Sequence, residues 1–375
     1  MSKNITILGA GNGGFATAAH LSREGHTVTL YDLPEFSSVL EDVKQLGGIT
    51  LETLPSNGIQ GGFAELALIT TDIAKALEKA EIIFVIVPSF AHESFAKICA
   101  PYLQDGQIVV LAPGNLYGTL VFAKEVEKLD QKKSIRFAEL DCMMYACRKQ
   151  NSTSVWLRGY KHNLGVGVFP AKDTEETLKE LKEIYPIFRG RENVLAAGLS
   201  NPNFVVHVPV MLSNVANIDA KRDLLFYREC VTETVTMIME KIDDERMGFK
   251  KNNIFNLDRA MDMSLAWYGY QGAKGNSLLE IQNSNPIYPT SKLPTEKLHR
   301  YLTEDVPFGL IPAMELMDLF GLPHPTMKLL SDFACLVCER DFYSEARTLA
   351  KVGLEGISKQ ELLEYVHTGQ RAIRK

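Results

Sequence analysis

The sequence predicts an α/β N-terminal domain, a doubly wound parallel sheet, followed by an all-α C-terminal domain. Three observations predict it. Strand-like and helix-like runs alternate through the first half of the 375 residues, a glycine-rich turn joins the first strand to the first helix, and beyond about residue 203 long helical periods take over. The length favours two domains, because a single hydrophobic core stops growing beyond roughly 250–300 residues. We place them at 1–197 and 198–375.

From residue 4 the chain reads strand (ITIL), turn (GAGNGG), helix (FATAAHLSREG) and strand (TVTLYD). This is one βαβ unit of about 30 residues, whose right-handed crossover makes the two strands parallel neighbours. Gly9 serves a tight turn, Gly11 lets backbone approach a pyrophosphate, and Gly14 lets the helix pack closely on the strand. With Asn12 and Gly13 they form the candidate phosphate cradle, since a helix N-terminus offers free N–H groups and a positive dipole end. A lone G-x-G-x-x-G is weak in a chain with 27 glycines. Here it follows a strand, opens a helix and precedes Asp32 at the end of the second strand, which makes it a dinucleotide-binding, Rossmann-type signature. Asp32 would accept from the adenine ribose hydroxyls and repel a 2′-phosphate. No Arg or Lys follows before Lys44, so NAD(H) is preferred, with NADP(H) still open; Asp32 capping a local turn is the bland alternative.

Further strands follow at 67–71, 81–88, 107–113 and 134–140, with helical runs such as ITTDIAKALEKA and ESFAKICAPYL between several of them. Their β-branched, apolar composition suits a sheet covered on both faces, with ligands at the C-terminal strand ends. That puts VPSFAH, APGN and the segment after Glu139 on the ligand side. Pro88 joins the candidate cofactor neighbours, although Pro88 and Pro113 each end a strand and need no function to explain them. GVGVFPA reads as one more strand, and KDTEETLKELKEIYPIF as a helix with a solvated face.

Composition limits the function classes. Forty basic and 46 acidic residues give a net charge of −6, a poor basis for nucleic-acid binding; the tail RAIRK reads as a solvated end. No signal-peptide pattern opens the chain and no run reaches about 18 uninterrupted apolar residues, so no membrane association and a cytoplasmic location are expected. The six cysteines lie mostly in apolar runs and are expected to be reduced core thiols. Cys335 and Cys338 form a CxxC without a second pair or a nearby histidine, so no metal site is expected.

In the second half, NFVVHVPVMLSN, RDLLFYRECVTETVTMIMEKI, LDRAMDMSLAWYG, VPFGLIPAMELMDLFG, PTMKLLSDFACLVCERD, SEARTLAKV and SKQELLEYVHTG read as helices. Met237, Met261, Met263 and Trp267 sit at helical spacing and are expected in the core. The stretch from Tyr268 to Pro294 is rich in Gly, Asn, Ser and Pro and reads as an extended loop. His207 stands inside the apolar run NPNFVVHVPVML, where a histidine is usually a core residue with satisfied ring nitrogens.

Four stretches give that histidine a second reading: GAGNGG at 9–14, LAPGNLYG at 111–118, FAELDCMMYACR at 137–148, and NPNFVVH at 201–207 together with RYLTEDVPFGL at 300–310. In this order they resemble the octopine and nopaline (opine) dehydrogenases, NAD(P)-dependent enzymes that reductively condense an amino acid with a 2-oxo acid such as pyruvate. The resemblance implies a catalytic pair of His207 and Asp305, substrate carboxylates held by Arg300 and Arg148, and Glu139 near the substrate's ammonium or cationic side chain, with the reaction between the two domains. The chemistry agrees, because carbinolamine and imine steps need a group that gives and takes protons near neutrality. Plainer readings remain beside these: an N-cap cluster at Thr303–Asp305 and structural salt bridges for the two arginines.

Ketopantoate reductase and glycerol-3-phosphate dehydrogenase types share the two-domain plan but use a lysine in the helical domain, and here the first lysine after residue 200 is Lys221, beyond the His207 helix. An NAD(H)-binding redox sensor would keep the glycine turn and need no His–Asp pair. The apolar helical half would suit a homodimer, and the partners expected are small molecules only.

Overall fold

The computed structural model describes residues 2–129 and 133–371; of the basic tail only Arg371 lies within them. The chain divides into two compact units, one comprising the residues up to Gly114 with Gly118–Gly190, the other Asn115–Tyr117 with everything from Arg191 onward.

The first unit holds two sheets. The strands are β1 (Asn4–Leu8), β2 (Thr27–Tyr31), β3 (Gly48–Thr53), β4 (Gly62–Glu65), β5 (Leu68–Thr70), β6 (Ile82–Val85), β7 (Ile108–Leu111), β8 (Arg136–Leu140), β9 (Tyr145–Lys149), β10 (Ser154–Tyr160), β11 (Leu164–Phe169) and β12 (Phe188–Gly190). The larger sheet runs β12-β11-β8-β7-β6-β1-β2-β5. Every neighbouring pair in it is parallel except β8 with β11. Strands β6, β7 and β11 are buried along their whole length, as a sheet covered on both faces requires. The strand order reverses between β1 and β6, and the glycine turn leaves β1 at that switch point, where α/β sheets bind ligands.

A second, four-stranded sheet, β4-β3-β10-β9, lies outside the sequence reading. Its central pairing joins β3 to β10 across about 100 residues, and such long-range pairing leaves no local signal.

The second unit is helical and centres on the helix Asn203–Ser213, buried from Phe204 to Leu212. The apolar run Val194–Ser213 has the length and composition to cross a membrane, but 94% of its most apolar window is buried inside the protein. It is also interrupted at Asn201–Pro202. It is a core element, packed by the helices Glu233–Arg246 and Pro325–Cys338. The fully buried Arg246 is satisfied by Asp243 and by the carbonyls of Leu199 and Asp258, the condition on which a buried cation is tolerated.

Several helical expectations fail for identifiable reasons. Residues 222–232 are not helical. Phe226 N–H donates to the Ser291 carbonyl at 2.8 Å and Leu293 N–H to the Leu224 carbonyl at 2.8 Å, so pairing with a distant segment captures that backbone. The helix starts only at Glu233, capped by the Thr232 hydroxyl. Residues 346–352 are likewise drawn off, with Arg347 N–H donating to the Pro307 carbonyl and Leu349 N–H to Glu315. Conversely, the expected loop contains the helix Leu278–Ser284, started by Ser277 accepting from Glu280 N–H, an S-x-x-E signal that the reading passed over. Met237 is 52% exposed rather than core, because its helix buries Val235, Met239 and Ile242 instead. All six cysteines are free thiols; Cys99, Cys142 and Cys230 are buried, whereas Cys147, Cys335 and Cys338 are half-buried.

Candidate active site

The glycine turn fits a dinucleotide for reasons each glycine shows separately. Gly9 has φ +104°, and a Cβ there would lie 2.5 Å from the Ile86 carbonyl oxygen just past β6. A Cβ at Gly14 would meet the Gly9 carbonyl oxygen at 1.8 Å, and one at Gly13 would strike the Met143 methyl at 2.7 Å. Gly11 is different: nothing in the protein lies within 4 Å of its Cβ position, and the residue is exposed. Protein packing therefore does not require glycine at 11, and the space beside it is open to close approach. The helix Asn12–Arg23 that follows has neither a side-chain cap nor an acidic residue in its first turn, so its N–H groups stay available to phosphate.

Asp32 sits at the end of β2, with one carboxylate oxygen accepting from Ala10 N–H and the other from Leu33 N–H, both at 2.8 Å. It braces the local turn, and because a carboxylate offers about four acceptor sites these two bonds leave others open. Partial burial pushes its carboxyl up, against the Ala10 and Leu33 hydrogen bonds and the nearby Lys149 ammonium. Lys149 is the cation absent from the local sequence, supplied by β9. Its N–H donates to the Asn12 side chain at 2.9 Å, and its Nζ stands 3.5 Å over the Phe15 ring. Pro88 lies two residues past Ile86 and precedes a one-turn helix at Ser89–Ala91.

In the second unit, His207 and Asp305 meet. Nδ1 of His207 lies 2.7 Å from Asp305 Oδ2, across 98 positions of sequence, and both residues are largely buried, 9% and 6% exposed. Asp305 occupies the N-cap position of the helical turn Val306–Leu310 but makes no capping hydrogen bond with its side chain. Its carboxylate is committed to the imidazole instead. Burial pushes the Asp305 carboxyl up, and the hydrogen bond to His207 opposes this. The imidazole is boxed by aromatics: Tyr301 stacks on it at 3.9 Å between centroids, Phe226 meets it edge-on at 5.8 Å, and the Tyr227 hydroxyl lies 3.2 Å from Nε2.

Five residues before Asp305, Arg300 directs Nε to Glu304 at 2.8 Å and also pairs with it through Nη2. Its side chain is 62% exposed, while that of Glu304 is 9% exposed. One edge of the guanidinium is thus held and the Nη1 end points away from that pair, the geometry for an end-on carboxylate fork. Within the same unit the Asn201 side chain bonds to that of Asn115, and Arg347 Nη1 donates to the Leu116 carbonyl at 3.0 Å.

A family model described as the NAD/NADP octopine/nopaline dehydrogenase alpha-helical domain matches residues 190–338. One described as the NAD-dependent glycerol-3-phosphate dehydrogenase N-terminus matches residues 4–132. Along nearly the whole chain, the sequence is 30% identical over 357 residues to an opine dehydrogenase of Arthrobacter sp. (strain 1C), covering 95% of this chain and 97% of that one. The chain belongs to the opine dehydrogenase family. A vitopine synthase of Allorhizobium ampelinum is 26% identical over 97% of this chain and 99% of its own length. An octopine dehydrogenase solved with NADH and L-arginine superposes with a TM-score of 0.78 at 19% identity, over the whole of both chains.

As an opine dehydrogenase it is an NAD(P)-dependent oxidoreductase acting on CH–NH donors. The other family-like residues fall elsewhere in the first unit. Glu139 on β8 is fully buried, its carboxylate accepting from the Thr119 hydroxyl and, at 3.2 Å, from Thr119 N–H. It therefore braces the start of the helix Gly118–Glu127, favourable for an anion. Arg148 is exposed on β9 of the small sheet, opposite Trp156, so the two belong to different sheets. Among the described residues no cluster of three or more His, Cys, Asp or Glu is arranged to hold a metal. Sequence reasoning missed Tyr227, Tyr301, Glu304 and Lys149. The first lay in a run misread as helix, and Tyr301 and Glu304 were visible only as neighbours of Arg300 and Asp305.

Proposed function

We propose that this opine dehydrogenase condenses an amino acid with a 2-oxo acid such as pyruvate, using NADH, with His207 as the acid–base group. The 2.7 Å bond between His207 and Asp305 carries the reading, since it takes a buried carboxylate away from helix capping and commits it to an imidazole. With Nδ1–H donated to Asp305, the Nε2 lone pair is the one that works on substrate. His207 takes a proton from the attacking ammonium group and returns one to the carbinolamine oxygen as water leaves. Asp305 keeps the ring in that tautomer and stabilises the imidazolium between the two events. Arg300, steadied by Glu304, holds a substrate carboxylate through its open end.

The turn from Gly9 to Gly14 would hold the pyrophosphate, Asp32 the adenine ribose, and Pro88 would border the cofactor. Bound NADH supplies the hydride that reduces the imine carbon. The resemblance also offers Arg148 and Glu139 to the substrate; the first is exposed on the small sheet and the second is fully buried against Thr119. A cytosolic setting, small-molecule partners and a homodimer complete the proposal, and sedimentation of the full chain checks the last.

The test is a screen of amino acids against pyruvate and other 2-oxo acids, following NADH absorbance, with product identified by mass. A secondary amine dicarboxylate is expected, and a hydroxy acid would move the enzyme to the ketopantoate reductase type. His207→Ala and Asp305→Asn should each cost about 10²-fold or more in kcat. Near wild-type turnover in either variant removes the pair from the mechanism.

A further inference from the structure

Both ring nitrogens of His207 are engaged. Nδ1 donates to Asp305 Oδ2 at 2.7 Å, which leaves Nε2 as an acceptor, and the Tyr227 hydroxyl, 3.2 Å away, donates to it. A base held this way takes no proton from an ammonium group until Tyr227 lets go. Nor can the imidazole turn aside: Asp305 fixes one edge, Tyr301 stacks on a face with centroids 3.9 Å apart, and Phe226 stands edge-on at 5.8 Å. Whatever uncovers Nε2 has to act on the hydroxyl.

The two ends of the ring are held unequally. The bond at Nδ1 is short, whereas 3.2 Å at Nε2 is at the long end for a protein hydrogen bond. Tyr227 is itself firmly placed. It is buried, and its ring stacks on Tyr288 with centroids 3.9 Å apart and planes 18° from parallel. On either side of that stack the backbone of Phe226 is bonded to Ser291 and that of Leu224 to Leu293, both at 2.8 Å. The ring therefore stays where it is while the hydroxyl hydrogen can rotate to another acceptor. With only 3.2 Å between the two atoms, an oxygen that comes within reach of Nε2 is a neighbour of the hydroxyl too. Burial pushes the Tyr227 hydroxyl well above the ordinary tyrosine range, so it keeps its proton and serves as a donor.

We infer that Tyr227 is a second catalytic residue: its hydroxyl caps His207 Nε2 until a 2-oxo acid binds, then turns to the substrate's carbonyl oxygen and polarises that carbon for attack by the amine. The inference rests on His207 being the acid–base group. One event then has two effects, because the carbonyl that claims the hydroxyl also uncovers Nε2 in the complex that needs a base. The O–H bond of Tyr227 stays intact throughout. As the carbonyl oxygen gains negative charge during attack, the hydrogen bond strengthens, since bonds to an ionised acceptor are roughly twice as strong as neutral ones. Before attack one neutral hydrogen bond merely replaces another, so the benefit falls on kcat rather than on KM. Arg300, which holds the carboxylate in the proposed reaction, shares a short helix with Tyr301, the residue stacked on the imidazole. A carbonyl next to a carboxylate suits that arrangement.

Tyr227→Phe should lower kcat about 10²-fold, the usual cost of one lost donor to a developing oxyanion, with the KM for pyruvate within about threefold of wild type. The damaged step precedes hydride transfer, so NADH deuterated at the transferred position should react with this variant at nearly the rate of ordinary NADH. A second measurement needs no tyrosine variant. In wild-type protein carrying ¹⁵N-histidine and loaded with NADH, saturating pyruvate should shift the His207 Nε2 resonance, assigned by its loss in His207→Gln. A resonance that pyruvate leaves in place would overturn the assignment, as would a Tyr227→Phe kcat within about twofold of wild type or a loss carried by KM alone. A large deuterium effect in the variant would do the same, by putting the damage at the hydride step. His207→Ala separates the two ideas: an active His207→Ala enzyme defeats the acid–base reading itself, whereas an inactive one beside an undamaged Tyr227→Phe defeats only the role of Tyr227.

Discussion

Lowering the pH should destabilise the nucleotide-binding unit chiefly through His20, whose pKa burial lowers furthest among its histidines, and replacing it with glutamine should remove much of that sensitivity. His20 lies in the helix that begins at the glycine turn. Its Nδ1 is 2.7 Å from the Tyr145 hydroxyl, which lies 2.6 Å from that of Tyr185, and the rings of Tyr145, Tyr160 and Tyr185 surround it. Burial, with a smaller contribution from His26, pushes its pKa down from 6.5 to about 4. Glu24 stands 3.8 Å from Nε2 but is 55% exposed, and solvent screening leaves its attraction too weak to offset burial. The folded protein therefore binds this proton less readily than the unfolded chain. Stability is fully present above pH 6.5 and falls as pH drops towards 4. At about 1.4 kcal/mol per pH unit the whole loss is about 3 kcal/mol. Urea unfolding followed by intrinsic fluorescence from pH 8 to pH 4 measures it. The wild-type curve should fall by about 3 kcal/mol more than that of His20→Gln, whose amide can still meet the Tyr145 hydroxyl. Parallel curves for the two proteins would refute the account.

Other outcomes follow from the cradle. Gly11→Ala should leave unfolding within about 0.5 kcal/mol of wild type, since no atom occupies the space, while raising the KM for NADH severalfold. Gly14→Ala, whose methyl would overlap the Gly9 carbonyl oxygen, should instead destabilise the fold by about 2 kcal/mol or more, so equal stability of the two variants would contradict the packing. Asp32→Ala should narrow the preference for NADH over NADPH, and Lys149→Ala should widen it, because the two charges act on the same region with opposite sign; ratios of kcat/KM for the two cofactors report both.

Much of this was legible because the decisive signals are local. The turn from Gly9 to Gly14 carries its own context of strand before and helix after, and Asp32 closes the unit. His207 was noticeable as one polar group in an apolar helix, but its pairing with Asp305 came from family resemblance, since no periodicity links positions 98 apart. The rest was hidden for the same physical reason in each case. Lys149 reaches the cradle from a strand of a sheet assembled by distant pairings. Tyr227 stands where the chain gives up helical hydrogen bonds for bonds to 291–293. Helical periodicity at 222–232 was real and lost to tertiary pairing, as propensity often does.

The three residues Asn115–Tyr117 belong to the helical half although they are encoded some seventy positions before the rest of it. A fragment beginning at Arg191 would forfeit the Leu116 carbonyl that receives Arg347 and the amide that meets Asn201, leaving buried polar atoms in need of new company. The helical half is consequently not a cassette that recombination could transplant whole; any exchange between relatives that preserves the fold has to carry this short tripeptide along with it.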